Sequence, residues 1–146
     1  MKERVLAELR ENFDGQPWHG SPLRRLLDGV DDAAAHRRSI PAAKTMAELL
    51  AHITAWIEIV ARRAAGEVFE VTPAMDFPDP NGQTWSSLVA AAETAHAKLL
   101  EAVAQLDDAT LRALVPDKPY TMAWMLDGLM HHNTYHGAQI ALLKKY

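Results

Sequence analysis

Two histidines four residues apart are the strongest chemical signal in this sequence. They are His132 and His136, in the segment MHHNTYHGAQI, which otherwise has the apolar spacing of an amphipathic helix. Residues four apart on a helix lie about 40° apart around its axis and one turn apart along it, so both imidazoles can face one point. Leu129 and Ile140 fall in the same sector. The pair is therefore predicted to face the protein core.

Two buried imidazoles cost free energy unless hydrogen bonds satisfy them or their nitrogen lone pairs bind a metal. Imidazole suits zinc, nickel, copper and iron. A third candidate ligand is His52, which lies among the apolar residues Leu49, Ile53 and Trp56 of another helical segment. A histidine on one helix and an H-x3-H pair on another can build a metal site in a bundle core. Hydrogen-bonded core histidines are the alternative.

Three protein ligands would leave one coordination position open to water or substrate, as in catalytic metal sites. A bound water of lowered pKa, or a coordinated thiol held as thiolate, would then be the nucleophile. Gln139 follows one turn after His136 and could hydrogen-bond a ligand or a coordinating histidine. A helix-packing glutamine is the alternative interpretation.

The remaining histidines fit such a site less well. His131 is about 100° away from His132 around the helix and is predicted to flank it. His96 lies between two alanines and is predicted to be a partly exposed surface imidazole. His19 and His36 lie in loop-rich segments and are predicted to be solvated.

Composition restricts the function classes. The 146 residues, 49% of them hydrophobic and 23% charged, predict one globular domain spanning 1–146. The net charge of -4 argues against a nucleic-acid partner and against electrostatic attachment to an acidic membrane. No cysteine is present, which excludes a disulfide, a thiolate ligand and a protein thiol nucleophile. No apolar run is long enough to span a membrane, and the charged N-terminal segment is not a signal peptide, so a cytoplasmic protein is expected.

Four long helices and no strand are predicted from apolar residues at helical spacing. The segment TMAE forms a capping box, in which Thr45 caps the second helix and Glu48 reaches back. Glu48 could instead accept an imidazole N–H from His52, but capping is the simpler role. The fold class predicted is all-α, a four-helix bundle with long crossover connections. The helices are predicted from about Lys2 to Phe13, from Thr45 to near Gly66, from Thr84 to about Leu106, and from near Thr121 to the end of the chain.

The segments that connect the long helices also contain sequence patterns that predict local structure. Ser21 and Pro22 predict a short extra helix through Leu27, with Ser21 as the N-cap and Pro22 at the first helical position. The segment EVFEVTPAMDFPDPNGQ has three prolines and an Asn-Gly pair, which forbid continuous helix. Its length is unusual for a compact domain and indicates either a role at a binding site or mobility.

The chain resembles the DinB/YfiT-like superfamily of bacterial metalloproteins. The segments LLAHITAWIEIVARRAAGE and HNTYHGAQIALLKK carry the resemblance, and weaker similarity extends over nearly the whole chain in the family's order. The resemblance implies a four-helix bundle with a three-histidine site for a divalent metal, often zinc or nickel. It also implies that His52, His132 and His136 are the ligands. One departure is visible: the family usually places Gly directly before the Gln, whereas here Gly137 follows the histidine and Ala138 precedes Gln139.

The resemblance leaves two kinds of function open. Some relatives are S-transferases or isomerases that use a low-molecular-weight thiol such as bacillithiol, mycothiol or glutathione, and others have been called metal-dependent hydrolases. An enzyme of this kind would act on a small-molecule substrate in a cavity. The cavity could be lined by aromatic residues, although core packing is an alternative role for each of them: Trp56, Trp85, Trp124 and Tyr135.

The second hypothesis is a non-catalytic, metal-stabilised bundle that senses a metal or binds a partner, with a homodimer implied only by the resemblance. A degenerate, empty site is a weaker third hypothesis because all three histidines are present.

Overall fold

The computed structural model describes residues 1–146 and contains eight α-helices and no strand, which confirms the predicted all-α fold. An isolated β-bridge between Leu114 and Thr121 is the only strand-like pairing. No helix has the length and apolar character required to cross a membrane. The helices are α1 (Lys2–Asp14), α2 (Leu23–Leu26), α3 (Asp32–His36), α4 (Met46–Ala64), α5 (Pro73–Asp76), α6 (Trp85–Ala104), α7 (Asp108–Arg112) and α8 (Met122–Leu143).

The four long helices pack as a four-helix bundle. Helix α4 contacts α6 and α8, and α1 contacts the same two helices from the other side. The chain therefore crosses the bundle twice, from α1 to α4 and from α6 to α8, as the predicted long crossovers require. The buried core draws on all four helices and includes Leu9, Leu50, Leu99 and Leu126, each at most 2% exposed.

Threonine side chains fix where the long helices after α1 begin. Thr45, Thr84 and Thr121 each accept a hydrogen bond from the backbone N–H three residues later. The Glu48 carboxylate accepts the Thr45 N–H, which completes the predicted capping box. Arg38 also pairs with Glu48 at 3.0 Å. Glu48 is thus occupied at the start of α4, and its capping role is confirmed.

The short helices were predicted less well. Helix α2 begins at Leu23 with Pro22 as its N-cap, one residue later than predicted, and no side chain caps it. Helices α3, α5 and α7 have four or five residues each, which is too short to show a helical period in the sequence. His36 ends α3 and is half-buried, with Nε2 2.9 Å from the Gln83 carbonyl oxygen, so the prediction of a solvated loop residue was wrong.

The prediction for His96 was also wrong. Its side chain is buried, 8% exposed, where α1 packs against α6. The Phe13 ring stacks on the imidazole with centroids 4.1 Å apart. The alanines beside His96 in the sequence gave no sign of this, because burial at that position depends on the neighbouring helix and not on the local sequence.

Candidate metal centre

The structure brings His52, His132 and His136 together. One nitrogen from each imidazole lies within 4.8 Å of the other two, although 80 residues separate His52 from His132. Helix α4 contributes the first ring and one face of α8 contributes the other two, one turn apart. His131 on the same helix is exposed, as its angular position predicted. The cluster is compatible with binding a metal ion.

The orientation of His52 is fixed by the segment after α4. Its Nδ1 lies 2.5 Å from the Asp76 carbonyl oxygen. Because a carbonyl oxygen only accepts, Nδ1 must carry the hydrogen, and the lone pair of the neutral ring is then on Nε2. The Asp76 carboxylate lies 3.4 Å from the same Nδ1 and accepts a hydrogen bond of 2.8 Å from the Trp56 indole N–H. These contacts direct the His52 lone pair toward the other two histidines.

His136 is oriented in the same way. Its Nδ1 lies 2.6 Å from the Gln139 side-chain oxygen, one turn further along α8. With Nδ1 as the donor, the second ring nitrogen of His136 is free to bind a metal. Of the two roles that the sequence allowed for Gln139, the hydrogen bond to a cluster histidine is the one observed. Metal-binding histidines commonly have their other ring nitrogen held by such an acceptor.

His132 completes the donor set. Its Nε2 lies 2.9 Å from Nε2 of His52, while its Nδ1 is buried and has no hydrogen-bond partner. Two imidazole lone pairs this close repel one another unless a proton or a cation lies between them. A cation shared by the rings would bind both Nε2 lone pairs and leave Nδ1 of His132 protonated. The three residues therefore fit a divalent metal, for which neutral imidazole is a suitable ligand.

Burial keeps two of the rings in the neutral form that binds metals. The pKa of His132 is lowered to about 4, mainly by burial and to a smaller extent by the positive charge that His136 and His52 can carry. Burial is also the main cause of the lowered pKa of His52, which the contact with the Asp76 backbone partly opposes. Metal affinity depends on neutral imidazoles, because a proton and a metal compete for the same lone pair.

The long connection between α4 and α6 covers the cluster. Its short helix α5 ends at Asp76, and the following Phe77 stacks on the His52 ring with centroids 3.9 Å apart. The Lys44 ammonium lies 4.6 Å from the centroid of Phe77 on the other side. Of the two roles that the sequence allowed for this segment, the structure supports the one at a binding site.

Asp76 and Phe77 were not predicted as site residues. Asp76 acts mainly through its backbone carbonyl, which every residue type has, and so its identity carries little signal. The unusual length of the connection was the only indication in the sequence.

Two cavities reach the cluster from different sides. One has a volume of about 280 Å³, lies between α4 and α8, and includes His132 in its wall together with Trp56 and Trp124. The other has a volume of about 360 Å³ and includes His136 and Phe77. His132 and His136 thus each border a different cavity.

The predicted aromatic lining is right for two of four residues. Trp56 and Trp124 line the first cavity. Trp85 instead lies in the core, 5% exposed, where its indole N–H donates to the Leu27 carbonyl oxygen. Tyr135 is 64% exposed and meets His136 only edge-on, with centroids 4.9 Å apart.

The departure at Gly137 has a packing explanation. A Cβ atom at this buried position would lie 3.2 Å from Cδ1 of Leu26 and 3.5 Å from Cδ1 of Leu23. Helix α2 therefore packs closely against α8 beside His136. The glycine serves helix packing on a face about 120° around α8 from the cluster, and the His136 ring still contacts Gln139.

Comparison with known proteins identifies the family. No curated protein and no solved structure matches the chain. The sequence model of the DinB superfamily matches residues 18–140, which include all three histidines and the four segments that form α4 to α7. This match covers most of the chain, and the chain belongs to the DinB superfamily.

Proposed function

We propose that the protein binds one divalent metal ion through His52, His132 and His136 and that this ion serves an enzymatic reaction on a small molecule. The convergence of three imidazoles carries the proposal, since Asp76 and Gln139 direct two of their lone pairs inward. A bound zinc or nickel ion would lower the pKa of a coordinated water or low-molecular-weight thiol and so supply a nucleophile.

Thiol transfer is the reaction type that the surroundings favour. The chain has no cysteine, so a thiol nucleophile must come from a cofactor. Two cavities meet at the histidines, one for the thiol and one for an electrophile. The walls of the first cavity are mainly apolar and aromatic, including Trp56 and Leu129, and would accommodate an apolar reactant. We therefore propose an S-transferase or a thiol-dependent isomerase. Hydrolysis, in which a metal-bound water replaces the thiol as the nucleophile, is a variant of the same chemistry.

The set of ligands also supports catalysis over a purely structural metal. A structural site normally closes with a fourth protein ligand. Here the cluster contains three histidines, and the nearest carboxylate, of Asp76, lies on the Nδ1 side of His52. The non-catalytic dimeric bundle considered from the sequence would not require cavities at the metal.

Spectroscopy of cobalt-substituted protein tests the proposal directly. Purified protein is loaded with Co²⁺ and titrated with glutathione and with 2-mercaptoethanol. We expect one Co²⁺ per chain, a d–d spectrum typical of low coordination number, and a thiolate-to-metal absorption when thiol is added. Thiol consumption is then followed with 1-chloro-2,4-dinitrobenzene as a model electrophile.

Two variants make this experiment decisive. His136→Ala removes one of the three rings, and we expect it to lose both the metal and the thiolate absorption. His131→Ala removes the adjacent exposed imidazole and should behave as the wild type. Unchanged metal content in His136→Ala would refute the site. Metal binding without any thiolate absorption would refute thiol activation and leave the metal site standing.

A further inference from the structure

Arg63 has an environment unlike that of the arginine beside it. Arg62 and Arg63 both lie in the last turn of α4. Arg62 is exposed and pairs with Glu67 at 2.8 Å, with its guanidinium 3.9 Å from the Phe69 ring. Arg63 is only 5% exposed and forms no ion pair. Its one side-chain hydrogen bond joins Nη1 to the Tyr120 hydroxyl at 3.3 Å.

The Arg63 guanidinium has no carboxylate partner, and the Tyr120 hydroxyl is the only acceptor that the chain gives its five N–H donors. Its remaining nitrogens are not sealed from solvent, because the side chain lines a cavity. The carbonyl end of α4 and the Phe69 ring, whose centroid lies 5.5 Å from the guanidinium, place partial negative charge near it. Neither provides the pair of coplanar acceptors that fits the guanidinium fork. Arg63 is therefore equipped to bind a group that the chain itself does not provide.

Arg63 and His132 line the same cavity of about 280 Å³. His52 meets His132 at one end of the α4–α8 contact, and Arg63 meets Tyr120 at the other, so the two helices run antiparallel. Eight residues of α8 separate Trp124 from His132, which corresponds to about 12 Å along the helix axis. The wall between the two ends is mainly apolar and aromatic: Trp56, Val60, Trp124, Met125 and Leu129.

We propose that Arg63 is a carboxylate-binding subsite and that the substrate in this cavity is a small molecule with an apolar body and a carboxylate. The carboxylate pairs with the Arg63 guanidinium, while the body lies between Trp56 and Trp124 with its other end toward His132. The inference rests on the proposed function, which places the reacting end at the histidines. The carboxylate belongs either to the thiol or to the electrophile, since Arg63 recognises the same chemistry in both.

A binding experiment with simple probes tests the subsite. The zinc-loaded protein is titrated with phenylacetate and with its neutral analogue phenylacetamide, and binding is followed by the fluorescence of the cavity tryptophans and by isothermal titration calorimetry. We expect the wild type to bind the carboxylate about tenfold more tightly than the amide. Arg63→Met should abolish this preference by weakening phenylacetate binding alone. Arg63→Lys should keep part of it, because charge remains but the planar fork does not.

Two control variants separate this subsite from the metal. Arg62→Met removes the neighbouring exposed cation and should leave the preference unchanged. His136→Ala should lose the metal yet retain carboxylate binding at Arg63. Loss of the preference in His136→Ala, with retention in Arg63→Met, would show that the carboxylate binds the metal and would overturn the proposal. Equal binding of acid and amide by the wild type would overturn it too. Thermal unfolding of each variant confirms that it folds.

A thiol pair identifies the source of the carboxylate. If it belongs to the thiol, 8-mercaptooctanoate, which is long enough to join the two ends of the cavity, should bind about tenfold more tightly than 8-mercaptooctanol, and only while Arg63 is present. If it belongs to the electrophile, phenylacetate should still bind when 2-mercaptoethanol is saturating, and the two longer thiols should bind alike. Either result supports the subsite. Failure of metal binding is measured separately by metal content, so it is not confused with failure of the subsite.

Discussion

His52 and His96 have similar surroundings but different chemistry. They are 5% and 8% exposed, and each stacks on a phenylalanine ring with an interplanar angle of 7°. At His52, one nitrogen faces the Asp76 carbonyl and the other faces His132. Phe13 is the only aromatic ring that His96 contacts, and no second imidazole lies beside it. Burial and stacking therefore do not identify a metal ligand; the convergence of ring nitrogens does.

The two phenylalanines differ as well. Phe13 belongs to α1 and is 4% exposed, so the bundle core holds His96. Phe77 belongs to the connection after α5 and is 37% exposed. Phe77 and His136 line a cavity that borders the cluster. The ring over His96 therefore closes a core, whereas the ring over His52 borders a cavity at the candidate metal centre.

Metal-dependent stability should separate the two histidines most strongly. Zinc bound only by the folded state, at a concentration about 1,000 times its dissociation constant, adds about 4 kcal/mol to the free energy of unfolding. We expect this gain in the wild type and its near-complete loss in His136→Ala. Chemical denaturation with zinc and with chelator measures it.

His96→Leu serves as the buried control and His131→Ala as the exposed one. Both should retain the zinc-dependent gain, whatever their stability without metal. An equal loss of the gain in His96→Leu would show that burial, and not convergence, governs the metal response.

The pH dependence of stability should single out His96. Burial, with a smaller contribution from the charge of Arg10, lowers its pKa from 6.5 to about 4 in the folded protein. Between these values the unfolded chain binds a proton that the folded protein does not, so stability falls as the pH falls from 6.5 toward 4. The loss attributable to His96 is about 3 kcal/mol and is complete near pH 4.

Urea denaturation of the metal-free protein at a series of pH values measures this contribution. His52 and His132 also have lowered pKa values, but they are present in both wild type and His96→Leu. The stability of the wild type relative to His96→Leu should therefore fall by about 3 kcal/mol between pH 7 and pH 4. A difference independent of pH would mean that His96 has the same pKa in the folded and the unfolded protein.

Gln139 offers a smaller change within the cluster. Gln139→Met keeps the length of the side chain but removes the acceptor for the His136 N–H. We expect zinc affinity to fall about tenfold, which corresponds to about 1.4 kcal/mol, because the ring loses its fixed tautomer and orientation. Gln139→Glu retains an acceptor and should bind zinc at least as well as the wild type. Competition with a chromophoric chelator gives both constants; equal affinities in the two variants would contradict this role.

The smallest effect is expected from the exposed phenylalanine. Phe77→Leu should change the free energy of unfolding by less than about 0.5 kcal/mol, because the ring is largely at the surface. Phe13→Leu should cost about 1 kcal/mol or more, since it alters a packed core site. Thermal unfolding of the metal-free variants compares them. Similar costs at both positions would show that the Phe77 ring is held as firmly as the core.

Local signals predicted the parts of the site that lie within one helix. The spacing of His132 and His136 predicted that both rings lie on one face of the helix and that His131 points away from that face. Gln139, one turn further on, could be either a hydrogen-bond partner of a cluster histidine or a helix-packing residue, and the structure shows the hydrogen bond. The starts of the three later long helices, at Thr45, Thr84 and Thr121, could also be predicted, because a helix start depends on residues within one turn of the same chain.

Apart from the placement of His52 beside His132 and His136, contacts between distant segments could not be predicted from the sequence. Asp76 contacts His52 through its backbone carbonyl. Because every residue type has a backbone carbonyl, the identity of residue 76 does not predict this contact. Arg63 and Arg62 look alike in the sequence, yet one is buried in a cavity wall and the other pairs with Glu67. His96 was misjudged for the same reason, since Phe13 covers it from another helix.

The sequence by itself determined an all-α chain, the capping box at the start of α4 and a pair of imidazoles on one helical face, because each depends on neighbours within a few residues. Only the tertiary structure decided which nitrogens converge, which histidine is buried alone and where Arg63 lies. Those outcomes follow from how α1, α4, α6 and α8 pack around one core, and packing brings together residues as far apart in sequence as His52 and His132.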